Sequence, residues 1–144
     1  MSNDFIKPPK VQASSGRVGL SESYSVETGV LNYPVFCFRY LHRDYNFEKC
    51  KLADRRFLRG FVTKIKILSD LRWSDIQLTG RQQSGSEKID RKSLNVPVPS
   101  FVTRDVGFLL SFYFSGTRGR IIGHRNGDIF HVIYIDTDLS VYGH

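Results

Sequence analysis

The chain contains little of what usually ties a sequence to a known chemistry. Its 144 residues include only 2 cysteines, Cys37 and Cys50, too few for a disulfide framework or a four-ligand zinc site. It has no GxxxxGK[ST] phosphate loop, no GxGxxG after a strand, no GxSxG and no HExxH. The enzyme classes built on those motifs are therefore disfavoured.

Long hydrophobic runs are also missing. Residues 1–10 are polar, with Pro8 and Pro9 following no apolar stretch, so they predict neither a signal peptide nor a membrane span. We expect a cytoplasmic protein with no membrane partner, whose two thiols stay reduced. Whether Cys37 and Cys50 pair is left open by the sequence.

Acidic residues are the scarcer charge, with 14 Asp and Glu against 21 Lys and Arg. The resulting net charge of +7 favours an anionic partner, most often nucleic acid or an anionic membrane surface. The alternative interpretation is a charged surface that keeps the protein in solution and has no partner.

Two regions of different composition follow one another along the chain. Residues 1–33 are polar and serine-rich with little apolar periodicity, which predicts a flexible tail. Residues 34–144 are rich in aromatic and aliphatic residues, and we expect them to form a single α+β domain.

The first half of this domain predicts a strand, a helix and a loop. Residues 35–41 are dominated by aromatic and β-branched residues, as strands are. Residues 52–71 have helical apolar spacing, with Gly60 inside as a sign of close packing, and a short second helix follows near a core Trp73. Residues 79–95 are polar and predict a loop.

The C-terminal third predicts an antiparallel β-meander packed against the main helix. Its apolar runs lie at 108–114, 120–125 and 128–136, and Asn126-Gly127 separates the last two as a two-residue hairpin turn does. The pairs that this turn predicts are Arg125 with Asp128, His124 with Ile129, Ile122 with His131 and Arg120 with Ile133.

This register places a group of basic side chains on one face of the sheet. Arg120, His124 and His131 would share that face, whereas Phe130, Tyr134 and the carboxylate of Asp136 would lie on the other. Histidine suits acid–base chemistry on phosphodiesters, and arginine stabilises developing negative charge. Alternatively, His131 is a hydrogen-bonded core residue and His124 a surface residue. We expect no metal, since a third ligand is missing, and no cofactor.

Residues 120–122, 130–136 and 141–142 resemble the C-terminal sheet of RelE/ParE-type toxins. The resemblance implies a small α+β fold and, as in many members, metal-independent cleavage of mRNA on the ribosome by basic residues and a late Tyr or His. ParE-like members act on gyrase instead. By position Arg120 matches the sheet arginine and Tyr142 the late tyrosine. The chain is longer than these toxins and lacks their pair of N-terminal helices.

Three functions follow as hypotheses. The first is a toxin-like endoribonuclease, with RNA rather than DNA as substrate, a possible antitoxin partner, and Arg120, His124, His131 and Tyr142 as catalytic residues. Its flanking phosphates would be held by Arg81, Lys88, Arg91 and Lys92. The second is a non-catalytic nucleic-acid-binding module of a phage, mobile element or defence system, using the helix residues Arg55, Arg56 and Arg59. The third is a module that binds an acidic protein.

Overall fold

The computed structural model describes residues 32–49, 55–79 and 85–143. The predicted tail, residues 1–33, lies outside them except for Asn32 and Tyr33, and so does Cys50, whereas Cys37 is a free thiol. The helices and strands are β1 (Val35–Cys37), α1 (Arg55–Ser69), α2 (Trp73–Leu78), β2 (Glu87–Asp90), β3 (Phe108–Phe114), β4 (Gly119–Asn126) and β5 (Ile129–Asp136).

The strands form one sheet in the order β1-β5-β4-β3-β2. The antiparallel meander β3-β4-β5 and the α+β fold class confirm the sequence prediction. Strand β1 is shorter than predicted and adds to the sheet parallel to β5. The predicted loop at 79–95 was wrong in part, because it contains strand β2, which pairs antiparallel with β3. Strand β2 buries only Ile89, so its sequence lacks the apolar alternation that predicts a strand.

Both helices pack on one face of the sheet. Their core includes Phe57 and Leu68 from α1 and Trp73 from α2, against Phe112 and Phe130 of the sheet. The periodicity of α1 explains this packing, although the helix ends at Ser69 rather than at the predicted position 71. None of the helices in the described parts of the chain is long and apolar enough to cross a membrane.

The opposite face of the sheet is covered as well. Residues 94–106 and the C-terminal residues Val141 and Tyr142 cover Ile122 and Ile133, and Leu94 pairs with Tyr142 through an isolated bridge. Because both faces are covered, all eight residues of β5 are buried. The basic face predicted from the hairpin is thus an interior layer.

The β4–β5 turn differs from its prediction. Asn126 pairs with Ile129, and the two turn residues are Gly127 and Asp128. Only Gly127 has a positive φ, 62°, as the first central residue of a type II′ turn does, whereas a type I′ turn would need a second. The predicted register was wrong by two positions along β5. Because side chains alternate between the two faces of a sheet, a shift by two leaves the first residues of β5 on the faces predicted for them. His124 consequently lies directly opposite His131.

A β-bulge then reverses the faces further along β5. Gly123 pairs with Val132 but Ile122 pairs with Tyr134, so Ile133 is the extra residue. Tyr134 therefore lies on the face away from the helices, and Asp136 lies opposite Arg120, which corrects both predicted placements. A Cβ at position 123 would stand 2.0 Å from the His131 carbonyl oxygen, so this close approach requires glycine.

Gly60 of α1 packs directly on the β3–β4 turn. A Cβ at position 60 would stand 1.9 Å from Ser115 Oγ, which itself donates a hydrogen bond to the Phe57 carbonyl at 3.2 Å. We expect Gly60→Ala to lower the free energy of unfolding by about 1–3 kcal/mol in urea denaturation, although alanine is the better helix former.

Adding Ser115→Gly to that variant should restore most of the loss. It removes the clashing hydroxyl and suits the positive φ of 52° at position 115. Gly107→Ala is the matched control, since a Cβ there has no atom within 4 Å. A Gly60→Ala protein as stable as the unmodified chain would contradict the close packing.

Candidate functional site

Arg120 lies in a closed polar network on the face of the sheet away from the helices. Its side chain is 0% exposed, and its Nε and Nη2 donate to Asp136 Oδ2 at 3.1 and 2.7 Å. Nη2 also donates to the Tyr142 carbonyl at 2.9 Å, and the guanidinium carbon lies 3.5 Å from the centroid of the Tyr142 ring. The arginine that matches the toxin pattern is thus engaged inside the protein.

Asp136 and Tyr142 extend this network to the C-terminal turn. The Asp136 carboxylate accepts the backbone N–H groups of Ser140 at 3.0 Å and Val141 at 3.2 Å. The Tyr142 hydroxyl donates to Glu87 at 2.8 Å and lies 2.9 Å from the Ser111 hydroxyl. Burial raises the pKa of Tyr142 to about 12, so the phenol is neutral near pH 7. The network joins β2, β3, β4 and β5 to the chain end.

His124 and His131 form a buried pair. They are 6% and 2% exposed, and the Tyr40 ring packs edge-on against His131 with 5.4 Å between centroids. Burial lowers the pKa of both, that of His131 to about 4 with a further contribution from the charge of His124. Both imidazoles are therefore neutral at pH 7. Arg120 and His124 are four positions apart on β4, which is about 13 Å along the strand and too far for both to act on one phosphodiester.

His124 also lines a cavity that we call the α2–β3 pocket. This cavity of about 410 Å³ lies between α2 and one end of strands β2, β3 and β4. The lining residues that matter for its chemistry are Trp73, Lys88, Asp105, Phe108, His124 and Arg125. The pocket brings together two cations, one carboxylate and two aromatic rings.

Both cations of this pocket lie on aromatic rings. Lys88 Nζ is 4.1 Å from the centroid of the Phe108 ring, and the Arg125 guanidinium carbon is 4.4 Å from that of Trp73. Arg125 is further held by a 2.8 Å hydrogen bond from its Nε to the Gly127 carbonyl. Cation–π contacts and this bond keep the positive charges in place beside the cavity.

The predicted helix cations cluster beside a second cavity, which we call the α1 groove. Arg55, Arg56 and Arg59 are exposed on the first turns of α1, where no acidic residue stands. The groove, about 440 Å³, runs between α1 and the β3–β4 turn and is lined by Arg56, Arg59, Lys64 and the turn. Lys64 is buried, and this desolvation lowers its pKa.

The predicted loop cations do not form one surface. Arg81 lies outside the described residues, Lys88 lines the α2–β3 pocket, and Lys92 is exposed beyond β2. Arg91 donates to the carbonyls of Val102, Thr103 and Val106 at 2.6–3.2 Å. These hydrogen bonds hold the segment 94–106 against the sheet.

Sequence reasoning missed Asp105, Phe108 and Arg125 as members of a pocket. Arg125 precedes the Asn-Gly dipeptide, and its local sequence indicates a hairpin strand rather than a pocket. No local pattern links these residues to α2, because the pocket joins segments far apart in the chain. Within the described ranges no three His, Cys, Asp or Glu side chains are grouped as metal ligands.

Comparison with known proteins adds no relative to this description. No protein-family model, curated protein or solved structure matches the chain. The resemblance to RelE/ParE-type toxins therefore stays a prediction.

Proposed function

We propose that the protein is a non-catalytic nucleic-acid-binding module that holds the phosphate backbone of RNA along the α1 groove. The observation that carries this proposal is the exposed group Arg55, Arg56 and Arg59 beside a groove that Lys64 also lines. Arginine binds phosphate oxygens with paired, charge-assisted hydrogen bonds. A cationic groove of this kind follows a nucleic-acid backbone.

The distribution of charge along α1 supports the same surface. Lys66, near the C-terminal end, forms an ion pair with Asp70 at 2.7 Å, so that end of the helix is locally neutralised. The first turn has arginines without acidic residues, and the N-terminal end of a helix carries its own partial positive charge. The attraction for phosphate is therefore concentrated in the N-terminal half of α1, where Arg56 and Arg59 line the groove.

The predicted catalytic residues are buried and bonded within the protein, which favours binding over cleavage. Arg120 is paired with Asp136 and wholly enclosed, and Tyr142 is 2% exposed. His131 has too low a pKa to be a general acid near neutral pH. A binding role needs none of these groups at the surface.

The test compares two triple variants of equal charge in binding to a labelled single-stranded RNA. Arg55→Gln, Arg56→Gln and Arg59→Gln change the groove; Arg39→Gln, Arg43→Gln and Arg104→Gln remove three exposed arginines elsewhere. For three lost phosphate contacts we expect binding about 100-fold weaker at about 0.1 M salt, and a salt slope smaller by about 2. The control variant should retain most of the affinity and slope.

Two results would contradict the proposal. Equal weakening in both triple variants would mean that net charge, rather than the α1 groove, holds the RNA. A salt-independent affinity would exclude backbone contacts altogether. Single-stranded DNA of the same sequence, measured in parallel, shows whether the groove prefers RNA.

A second candidate is the metal-independent ribonuclease, which one observation favours: His124 lines the α2–β3 pocket together with Lys88 and Arg125. Cleavage of the RNA during the binding experiment would favour this candidate if His124→Asn abolishes it. The control triple variant should then still cleave the RNA. Intact RNA and normal growth at high expression would favour binding alone.

A further inference from the structure

We propose that the α2–β3 pocket binds a nucleotide, that is, a flat aromatic base carrying a phosphate. This site is separate from the α1 groove and does not rest on it. The two cavities border opposite ends of β3, at Phe108 and at Phe114, about 20 Å apart along the strand. The volume of about 410 Å³ is that of a small-molecule site rather than of a surface dimple.

The charges of the pocket select an anion. Lys88 and Arg125 supply two positive charges and Asp105 one negative charge, while burial lowers the pKa of His124 and keeps it neutral. The net charge of +1 lies in a partly desolvated cavity, where it acts more strongly than at an open surface. Lys88 is exposed where it lies over the Phe108 ring, so its ammonium group is accessible to a phosphate that enters the pocket.

The flat surfaces of the pocket select an aromatic ring. Phe108, the first residue of β3, is 42% exposed, whereas the rest of the strand is buried or half-buried. Arg125 lies on the Trp73 ring, and a guanidinium plane supported in this way is a stacking surface for a base. Stacking of a base on such side chains is worth about 1–3 kcal/mol. A simple inorganic anion would use neither surface.

One acidic group of the pocket can contact the edge of the base or the sugar. Asp105 brings a carboxylate, an acceptor for ring N–H or ribose hydroxyl groups, and it accepts from the Thr103 hydroxyl. His124 also lines the pocket, but its Nε2 is buried beneath the surface, so we assign it no contact with the base.

Trp73 provides the means of measuring this binding. It is the only tryptophan of the chain, it lines the pocket, and Arg125 lies on its ring. The four nucleoside 5′-monophosphates are titrated into the full-length protein while tryptophan emission is recorded, with calorimetry as a second readout. Inorganic phosphate and the free nucleosides are titrated separately. We expect a saturable change in emission for at least one nucleotide, and weaker binding of either part alone.

Two variants of exposed residues test the assignment. Lys88→Gln and Phe108→Ala should each weaken nucleotide binding about tenfold, since one loses a charged contact and the other a stacking surface. Lys92→Gln, an exposed lysine outside the pocket, and the triple arginine variant of α1 should bind as the unmodified protein does. Loss of RNA binding in the α1 variant with nucleotide binding retained separates this site from the groove.

The source of the nucleotide is decided by competition. RNA that displaces the monophosphate from the unmodified protein identifies a nucleotide of a bound strand as the occupant, whereas no displacement identifies a free nucleotide. The proposal is overturned if no nucleotide changes the emission or releases heat. It is equally overturned if phosphate alone binds as tightly as the nucleotide, or if Lys88→Gln and Phe108→Ala leave the affinity unchanged.

Discussion

Replacing Asp136 by alanine is expected to lower the free energy of unfolding by about 3–5 kcal/mol in urea or thermal denaturation. The variant leaves the Arg120 guanidinium charged at 0% exposure, with the Tyr142 carbonyl as the remaining acceptor. It also takes away the acceptor for the backbone N–H groups of Ser140 and Val141. Desolvation of an uncompensated charge therefore adds to the loss of the C-terminal turn.

Two further variants isolate the cause. Replacing both partners, Arg120→Met with Asp136→Leu, should recover much of the stability, because no charge is then buried without its counterion. Asp70→Ala, which breaks the exposed ion pair with Lys66, should change the stability by less than about 1 kcal/mol. An Asp136→Ala protein about as stable as Asp70→Ala would contradict the closed network.

This prediction affects every test of the toxin hypothesis. Loss of toxicity in an Arg120→Ala variant would follow from unfolding as readily as from lost chemistry, since the network joins four strands. A cleavage role for Arg120 would need a variant that abolishes activity while the free energy of unfolding stays unchanged.

The second large effect is a loss of stability in acid. The pKa of His131 is about 4 in the folded protein against 6.5 for the ordinary imidazole, so between these values the unfolded chain binds more protons. The stabilising contribution is complete above about pH 6.5 and falls as the pH decreases toward 4. The total loss from this residue is roughly 3 kcal/mol. His124, whose pKa is also lowered, should act in the same direction.

The measurement is the free energy of unfolding at several pH values between about 7 and 4. In His131→Leu, which keeps an apolar side chain at the site, the dependence on pH should be distinctly flatter than in the unmodified protein. Parallel curves for the two proteins would show that His131 titrates normally in the folded state. Asp138, whose pKa is lowered chiefly by a hydrogen bond from Ser140, contributes only in more acidic solution.

The parts of the fold that were predicted correctly are those with a strong local pattern. Aromatic and β-branched runs identified β3 and β5, the Asn-Gly hairpin signal identified β4 beside β5, and apolar spacing identified α1. Strand β2 was missed because an edge strand that buries only Ile89 has no such pattern. The parallel pairing of β1 with β5 was missed because its partners are far apart in sequence.

In the candidate site, too, the features predicted correctly are those that depend on neighbouring residues. The hairpin correctly brought His124 and His131 together, since residues close to one turn are paired by it. It failed for Asp136, because a single extra residue at Ile133 exchanges the two faces of all that follows. The feature of the strand sequence that indicates this bulge is Gly123.

The α+β class, the meander, the main helix and the cationic first turns of α1 can be read from the chain, because these depend on spacing within a few neighbouring residues. Which polar groups are accessible depends on how distant segments pack. Segments 94–106 and 140–142 cover the sheet face that carries Arg120 and the histidines, while α2 and β2 to β4 assemble the pocket around Lys88 and Arg125. Burial depends on what distant segments cover, and that is a property of packing rather than of local pattern.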